Sequence, residues 1–239
     1  MQAHASPTPH HLRGIADTMS LLASHLPIQR RLVHAGDVVC QVGQKFGCLY
    51  VINSGCFKQV NLSAEGRGQV VGLHFKGDWM GLEGIADGHY GCDAVAMDTG
   101  EVWAIPYEAL LQAGLRTPAL LGALHAAMSR ELKRDRDCLM SLCTLPADAR
   151  VAGFLRHWAD ALEARGLRTD QFTLRMTRAE IGNYLGMTLE SVSRALSRMA
   201  RGQVIAFADK ARRDIRIPRV DALTHFIQEV RSPEGVAAH

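Results

Sequence analysis

Apolar residues along the chain change their spacing several times, and each change marks an element. Over residues 12–26, Ile15, Met19, Leu22 and Leu26 recur on one side of a helical wheel and predict a short helix. Between residues 30 and 106 the spacing drops to two, or to short runs such as Val38-Val39-Cys40, Cys48 through Ile52, Phe57 through Val60, Val70 through Leu73, Ala94 through Met97 and Val102 through Ile105. Gly36, Gly43, Gly55, Gly66, Gly77 and Gly100 punctuate these runs. The stretch therefore predicts an antiparallel β-roll of about eight short strands. After Tyr107 the helical period returns, with a short helix over 107–112, a long one from Pro118 to about residue 142 and another over 148–165. Pro118 suits a first helical turn, where its missing amide loses no bond.

Residues 176–201 compress two helices around a turn. Thr177 with Glu180 forms a capping box that starts a helix carrying Ile181, Tyr184 and Leu185 inward. Gly186 follows, at the place where a left-handed residue ends a helix, and Thr188 caps the next one. In that second helix Val192, Ala195, Leu196 and Met199 form a buried stripe, while Glu190, Ser193, Arg194 and Ser197 share the opposite face. A carboxylate, a hydroxyl and a guanidinium near a helix N-terminus are the groups that read base edges in a major groove. A solvated face on an ordinary helical hairpin has the same spacing, but the next segment weighs against it. Residues 204–207 and 214–217 are apolar runs flanking a polar turn, so a β-hairpin follows the second helix. Lys210, Arg212 and Arg213 at its tip suit phosphate contacts.

Charge and composition refine this picture little. Net charge is only +3, but up to Met140 there are 12 Lys+Arg against 13 Asp+Glu, and beyond it 15 against 11, so the basic excess accompanies the helix pair. With 239 residues, 47% hydrophobic and 21% charged, the chain has material for two modest domains. No apolar run approaches a membrane span and residues 1–14 lack the apolar stretch of a secretory signal, so a cytoplasmic protein without membrane partners is expected. Residues 1–11, rich in Pro, Ser, Thr and His, read as a disordered tail. The six cysteines contain no C-x-x-C pair and read as free thiols. Cys92, Cys138 or Cys143 would serve as redox switches only if exposed and acidic. No H-x-H, helical H-E-x-x-H, P-loop or G-x-S-x-G motif is present, so no catalytic activity is expected.

The segment T-R-x-x-I-G-N-Y-L-G-M-T-x-E-S-V-S-R, with Glu190, Ser193 and Arg194 as an E-x-x-S-R element, resembles the winged helix of the Crp/Fnr family of bacterial transcription regulators, nearest its Fnr/FixK branch. The likeness continues upstream through G-D-W-M-G-L-E-G-I-A-D-G-H-Y and I-P-Y-E-A-L. It implies an α+β chain: a disordered tail (1–11), a β-roll sensor domain related to cyclic-nucleotide-binding domains (12–112), a dimerisation helix (113–145) and a winged helix-turn-helix (146–239). It further implies a homodimer on double-stranded DNA at a TTGAT…ATCAA-like palindrome, control of anaerobic, redox or nitrogen-oxide-linked genes, and RNA polymerase as a partner. Glu190, Ser193 and Arg194 are the implied base contacts; Thr177, Arg178, Ser191, Arg198, Lys210 and Arg212 are the phosphate contacts. Leu189 stands where the cyclic-AMP-responsive branch has an arginine.

Departures from the family pattern bear on the signal. Cyclic-nucleotide binders place an Arg-Ser pair before a roll strand; here that segment is Tyr90-Gly91-Cys92-Asp93, and Asp93 would repel a phosphate. The cysteine cluster of the oxygen-sensing branch is missing, with only Cys40 in the first forty residues and Trp103 before Ala104-Ile105-Pro106, so a four-thiolate iron–sulfur site is not expected. No cofactor is predicted. Haem remains an alternative, with His34, His74, His89 and His125 as candidate ligands, in a sensor module acting mainly through a protein partner.

In the long helix Leu121, Leu124, Met128, Cys138 and Leu142 fall at heptad spacing, which suggests a dimer seam. Packing against the chain's own roll competes with that reading, and the family resemblance favours the dimer. Glu131 and Asp135 occupy the intervening seam positions, unless the helix turns so that Leu132 and Leu139 fill them. The resemblance places Asp135 at a control point for dimerisation.

Overall fold

The computed structural model describes residues 14–62, 66–209 and 212–231. The tail expected over residues 1–11 and the phosphate contact expected at Lys210 lie outside them. Helix α1 (Ile15–His25) leads into eight strands, β1 (Gln29–Val33), β2 (Val38–Cys40), β3 (Cys48–Ser54), β4 (Phe57–Leu62), β5 (Gly68–His74), β6 (Trp79–Met80), β7 (Asp93–Ala96) and β8 (Gly100–Pro106), with the short helix α2 (Gly84–Asp87) between β6 and β7. They form two antiparallel four-stranded sheets, ordered β1-β8-β3-β6 and β2-β7-β4-β5, which make the expected roll. Alternation along β3 buries Leu49 and Val51, with neighbouring Ile52 also buried, and Phe57, Met80 and Val102 join Ile52 between the sheets. Each such side chain contributes roughly 1.5–3 kcal/mol by leaving water. The β3–β4 turn has no room for a side chain on its neighbour: a Cβ on Gly100 would lie 2.4 Å from the Ser54 carbonyl oxygen.

A second layer of core joins the outer face of the first sheet to helices. Leu49, Val51, Trp79 and Ile105 pack with Met19 and Leu22 of α1, Leu110 of α3 (Tyr107–Arg116) and Leu120 and Leu124 of α4 (Pro118–Thr144). Helix α4 has two unlike halves. Its first half is held by its own chain: Leu124 is 4% exposed in the roll's core, Met128 packs beside it, and Leu121 lies against Gly114 of α3. In its second half Leu132 (55%), Leu139 (61%) and Leu142 (37%) face solvent. Of the residues expected at a seam, Leu124 is thus a core residue of the roll, whereas Leu142 and Asp135 lie on an open face.

The C-terminal part comprises α5 (Ala147–Glu163), β9 (Gln171–Thr173), α6 (Arg178–Tyr184), α7 (Leu189–Arg201), β10 (Ala206–Phe207), β11 (Asp214–Arg216) and α8 (Val220–Arg231). Its hairpin wing is wider than expected, because β11 pairs with β9 as well as β10. Its core merges with the roll. Phe75, just after β5, meets the Trp158 ring edge-on at 5.2 Å, and Cys56, Val70 and Leu73 join Leu155, Ile181 and Leu196 in one cluster. None of the described helices is long and apolar enough to cross a membrane.

Candidate nucleic-acid interface

The helix pair begins as its sequence requires. The Thr177 hydroxyl oxygen accepts from the Glu180 amide (3.2 Å), and the Glu180 carboxylate accepts from the Thr177 amide (2.8 Å) and hydroxyl (2.9 Å). Burial alone would raise the Glu180 pKa, yet the bonds from Lys58 and Thr177 hold it below the usual carboxylate value. The turn uses two glycines for different reasons. Gly186 has φ +61°, as expected of a helix stop, while a Cβ on Gly182 would sit 2.5 Å from the Met187 carbonyl oxygen. Gly182 thus lets α6 and α7 close on each other, and Thr188 then accepts the Ser191 amide at 3.2 Å to start α7.

Val192, Ala195, Leu196 and Met199 are buried, so the stripe read from the sequence does anchor α7. The opposite face is open: Glu190 and Arg194 are exposed, Ser193 and Ser197 half-buried. Arg194 makes no side-chain hydrogen bond or ion pair among the described residues. The Glu190 carboxylate accepts from its own amide and the Thr188 hydroxyl, which hold its pKa below the usual value, so it is an ionised acceptor at neutral pH. Ser193, Arg194, Ser197, Arg198, Arg201, Phe207 and Arg212 line an open groove between α7 and the wing.

The expected phosphate contacts divide. Arg178, at the start of α6, donates from Nη2 to the Arg212 carbonyl oxygen (2.8 Å). Its guanidinium carbon lies 5.6 Å from the centre of the Phe207 ring, and that of Arg212 lies 5.3 Å from the same ring. Arg212 holds a left-handed backbone, φ +55°, rare for a side-chain-bearing residue. Ser191 is half-buried and Thr177 exposed, both taking part in caps. Arg198, by contrast, pairs with Asp148 in the first turn of α5, tying the outer face of α7 to the helix that enters the domain.

No pattern in the sequence marks the side of α6 turned to the roll. Lys58 of β4 pairs with the capping carboxylate of Glu180. Asn183 bonds the margin of β5 in both senses: its Oδ1 accepts from the Val70 amide (2.6 Å) and its Nδ2 donates to the Gly68 carbonyl oxygen (3.0 Å). Arg150 of α5 donates to the Leu185 carbonyl oxygen (2.6 Å), securing the end of α6. The only sequence signal for Asn183 was a polar residue inside a short helix, which reads equally as solvent-facing.

Between the roll and α4, a pocket of about 450 Å³, open to solvent along the α4 edge, is lined by Gln59, Trp79, Glu83, Cys92, Met128, Glu131 and Asp135, among others. Its carboxyl groups are Glu83, Glu131 and Asp135, and no lysine or arginine lines it. The acidic group expected to repel a phosphate, Asp93, instead accepts the Val42 amide at 2.8 Å. The repulsive groups in the cavity are the other three. Burial raises the Glu83 pKa, and its Oε1 has no hydrogen-bond partner. Of the candidate haem ligands only His74 is buried, bonded to Gln59 at 2.8 Å with Glu131 3.8 Å away. No group of three or more His, Cys, Asp or Glu among the described residues is arranged to hold a metal ion. Burial pushes the Cys40 and Cys56 thiols up to about 12 and Cys92 up to about 11, which removes the acidity a redox switch at Cys92 would need.

Residues 149–226 match the family profile of a Crp-like helix-turn-helix domain, and residues 30–116 that of a cyclic nucleotide-binding domain. The chain is 32% identical over 204 residues to the fumarate and nitrate reduction regulatory protein of Escherichia coli, covering 85% of this chain and 80% of that one. To the transcriptional activator protein Anr of Pseudomonas protegens it is 36% identical over 180 residues, covering 75% and 74%. Among solved structures it resembles FixK2 from Bradyrhizobium japonicum, with a TM-score of 0.73, 26% identity, and coverage of 84% of this chain and 97% of that one.

Proposed function

The chain belongs to the Crp/Fnr family of DNA-binding transcription regulators, and from that premise we propose that it binds a TTGAT…ATCAA-like palindrome as a homodimer, one half-site per subunit. The observation that carries this reading is the open face of α7, where Glu190, Ser193 and Arg194 present an acceptor, a hydroxyl and a bidentate donor that makes no ion pair among the described residues. Arg194 suits guanine and Glu190 the cytosine amine; Ser193 discriminates the outer base. Bound there in the cytoplasm, the dimer contacts RNA polymerase and controls anaerobic, redox or nitrogen-oxide-linked genes. An electrophoretic shift tests the reading: the palindrome duplex is retarded at protein concentrations that leave a scrambled duplex free. Equal retardation of both removes the assigned specificity.

The outward half of α4 supports the dimer. Leu132, Asp135, Leu139 and Leu142 are spaced three and four residues apart on one exposed strip, which is the pattern of a parallel two-helix seam. In a two-fold pair Asp135 meets its own copy. Its pKa is already raised in the single chain, by burial and then by Glu131. The seam thus carries a carboxylate that opposes association and leaves DNA binding adjustable. Replacing Asp135→Ala should tighten the dimer several-fold in sedimentation equilibrium and raise palindrome affinity at low protein concentration. An unchanged or weaker dimer takes Asp135 out of the seam.

Cyclic nucleotides are not the signal in this reading. The carboxyl groups of the roll cavity offer no partner for a cyclic phosphate. Calorimetry with cAMP and cGMP should show no binding, and micromolar affinity for either overturns the statement.

A further inference from the structure

The wing holds a feature that capping and base reading leave unexplained. Two guanidinium groups from segments more than thirty residues apart lie against one aromatic ring, Arg178 of α6 and Arg212 of the wing on Phe207 of β10. Neither forms an ion pair among the described residues. The Asp209 carboxylate, whose charge acts on Arg178 without forming an ion pair, accepts at Oδ1 from the Arg213 and Asp214 amides, both at 2.9 Å, and so shapes the wing turn. Like charges gathered on a half-exposed surface repel each other; the Arg178 pKa is lowered by burial and then by Arg212. What holds the two together is the electron-rich face of Phe207, the 2.8 Å bond from Arg178 to the Arg212 carbonyl oxygen and the left-handed backbone at Arg212.

The Asp209 charge acts on Arg178 only at longer range, and two cations kept together without an ion pair among the described residues suit an anion from outside. Phe207 and Arg212 also line the groove against α7 that contains Ser193, Arg194 and Ser197. DNA seated in that groove brings its backbone to the same edge. We propose that Phe207 is a positioning residue that holds Arg178 and Arg212 as a two-cation clamp on a single DNA backbone phosphate, shared between the first helix of the pair and the wing. This rests on the reading of α7 as the DNA-facing helix. The clamp carries no sequence information, because every half-site presents a phosphate there. Its contribution is affinity and register, and it makes the wing's position depend on a contact to α6.

The test measures affinity of the full-length protein for the palindrome duplex and for an unrelated duplex over a range of salt concentrations. Phe207→Leu keeps apolar packing but removes the aromatic face; Phe207→Trp keeps that face. The clamp predicts that Phe207→Leu weakens both duplexes alike, roughly fivefold, and lowers the salt slope by about one per half-site, while the preference for the palindrome is unchanged and Phe207→Trp restores wild-type values. An unchanged salt slope in Phe207→Leu, or a loss confined to the palindrome, overturns the clamp. Should Phe207→Leu lower the melting temperature, Arg178→Gln, Arg212→Gln and the double variant decide instead: a shared phosphate makes the double variant lose little more than either single one, and additive losses overturn the proposal. A wild-type protein that binds neither duplex overturns the underlying DNA reading, whereas a binding wild type with an unaffected Phe207→Leu overturns the clamp alone.

Discussion

The two faces of the winged helix domain handle polar groups in opposite ways. On the face turned to the roll, Glu180 meets Lys58 and Thr177, and Asn183 meets Gly68 and Val70. On the outward face, among the described residues, Arg194 makes no side-chain hydrogen bond or ion pair, and neither Arg178 nor Arg212 forms an ion pair. Matched groups hold geometry because breaking one strands the other. Unmatched groups at the surface remain hydrated and available to a polyanion. The domain is therefore held from behind while the surface proposed to face DNA stays open.

Changes on the open face should cost binding and spare stability. Arg194→Ala should lose roughly 1–3 kcal/mol of palindrome affinity per half-site, read by fluorescence anisotropy, while its melting temperature stays at the wild-type value. A large fall in melting temperature would mean that Arg194 has a structural partner after all. On the matched face the pattern should invert. Asn183→Ala removes two bonds from β5 and should lower stability by about 1–2 kcal/mol, with faster hydrogen exchange at the Val70 amide. Unaltered exchange there would place the docking energy elsewhere, in the apolar contact of Phe75 with Trp158.

The roll cavity supplies a third case, a carboxyl group that is half-buried and incompletely matched. Burial raises the Glu83 pKa in the folded chain. The folded state then holds its proton to higher pH than the unfolded state, so this residue's contribution to stability falls as pH rises from the unfolded value of about 4.5 through the folded value. Glu83→Gln should be more stable than wild type near pH 7, by about 1 kcal/mol or less, and the advantage should vanish below about pH 4.5. Thermal melts at the two pH values measure this, and an advantage that persists in acid would show that the carboxylate charge is not the cause.

The winged helix was largely readable because its signals are local. The capping box at Thr177, the stop at Gly186 and the stripe Val192, Ala195, Leu196, Met199 all lie within a few residues of what they determine. Short apolar runs bounded by glycines located the roll for the same reason. Strand β9 escaped notice because its three residues have a single buried side chain, Phe172, and its partner β11 lies some forty residues downstream. Helix α8, packed against α5, was also not anticipated. In α4 the heptad pattern fits both a seam and a contact with the roll; the first half packs on the roll, and the second leaves Leu132, Leu139 and Leu142 exposed. Asn183 and Phe207 were invisible as site residues, because a polar residue on a helix and an aromatic residue on a strand take their roles from neighbours that only the fold supplies.

Asn183 has one more consequence. Strand β5 is the outermost member of its sheet, and an uncovered outermost strand is a template onto which another chain can add. The amide of Asn183 occupies the donor at Val70 and the acceptor at Gly68 that such a strand would engage. Any motion that lifts the DNA-binding domain from the roll uncovers that sticky margin, so colloidal solubility and domain position are coupled: a regulator held in a lifted state would self-associate through its sheets.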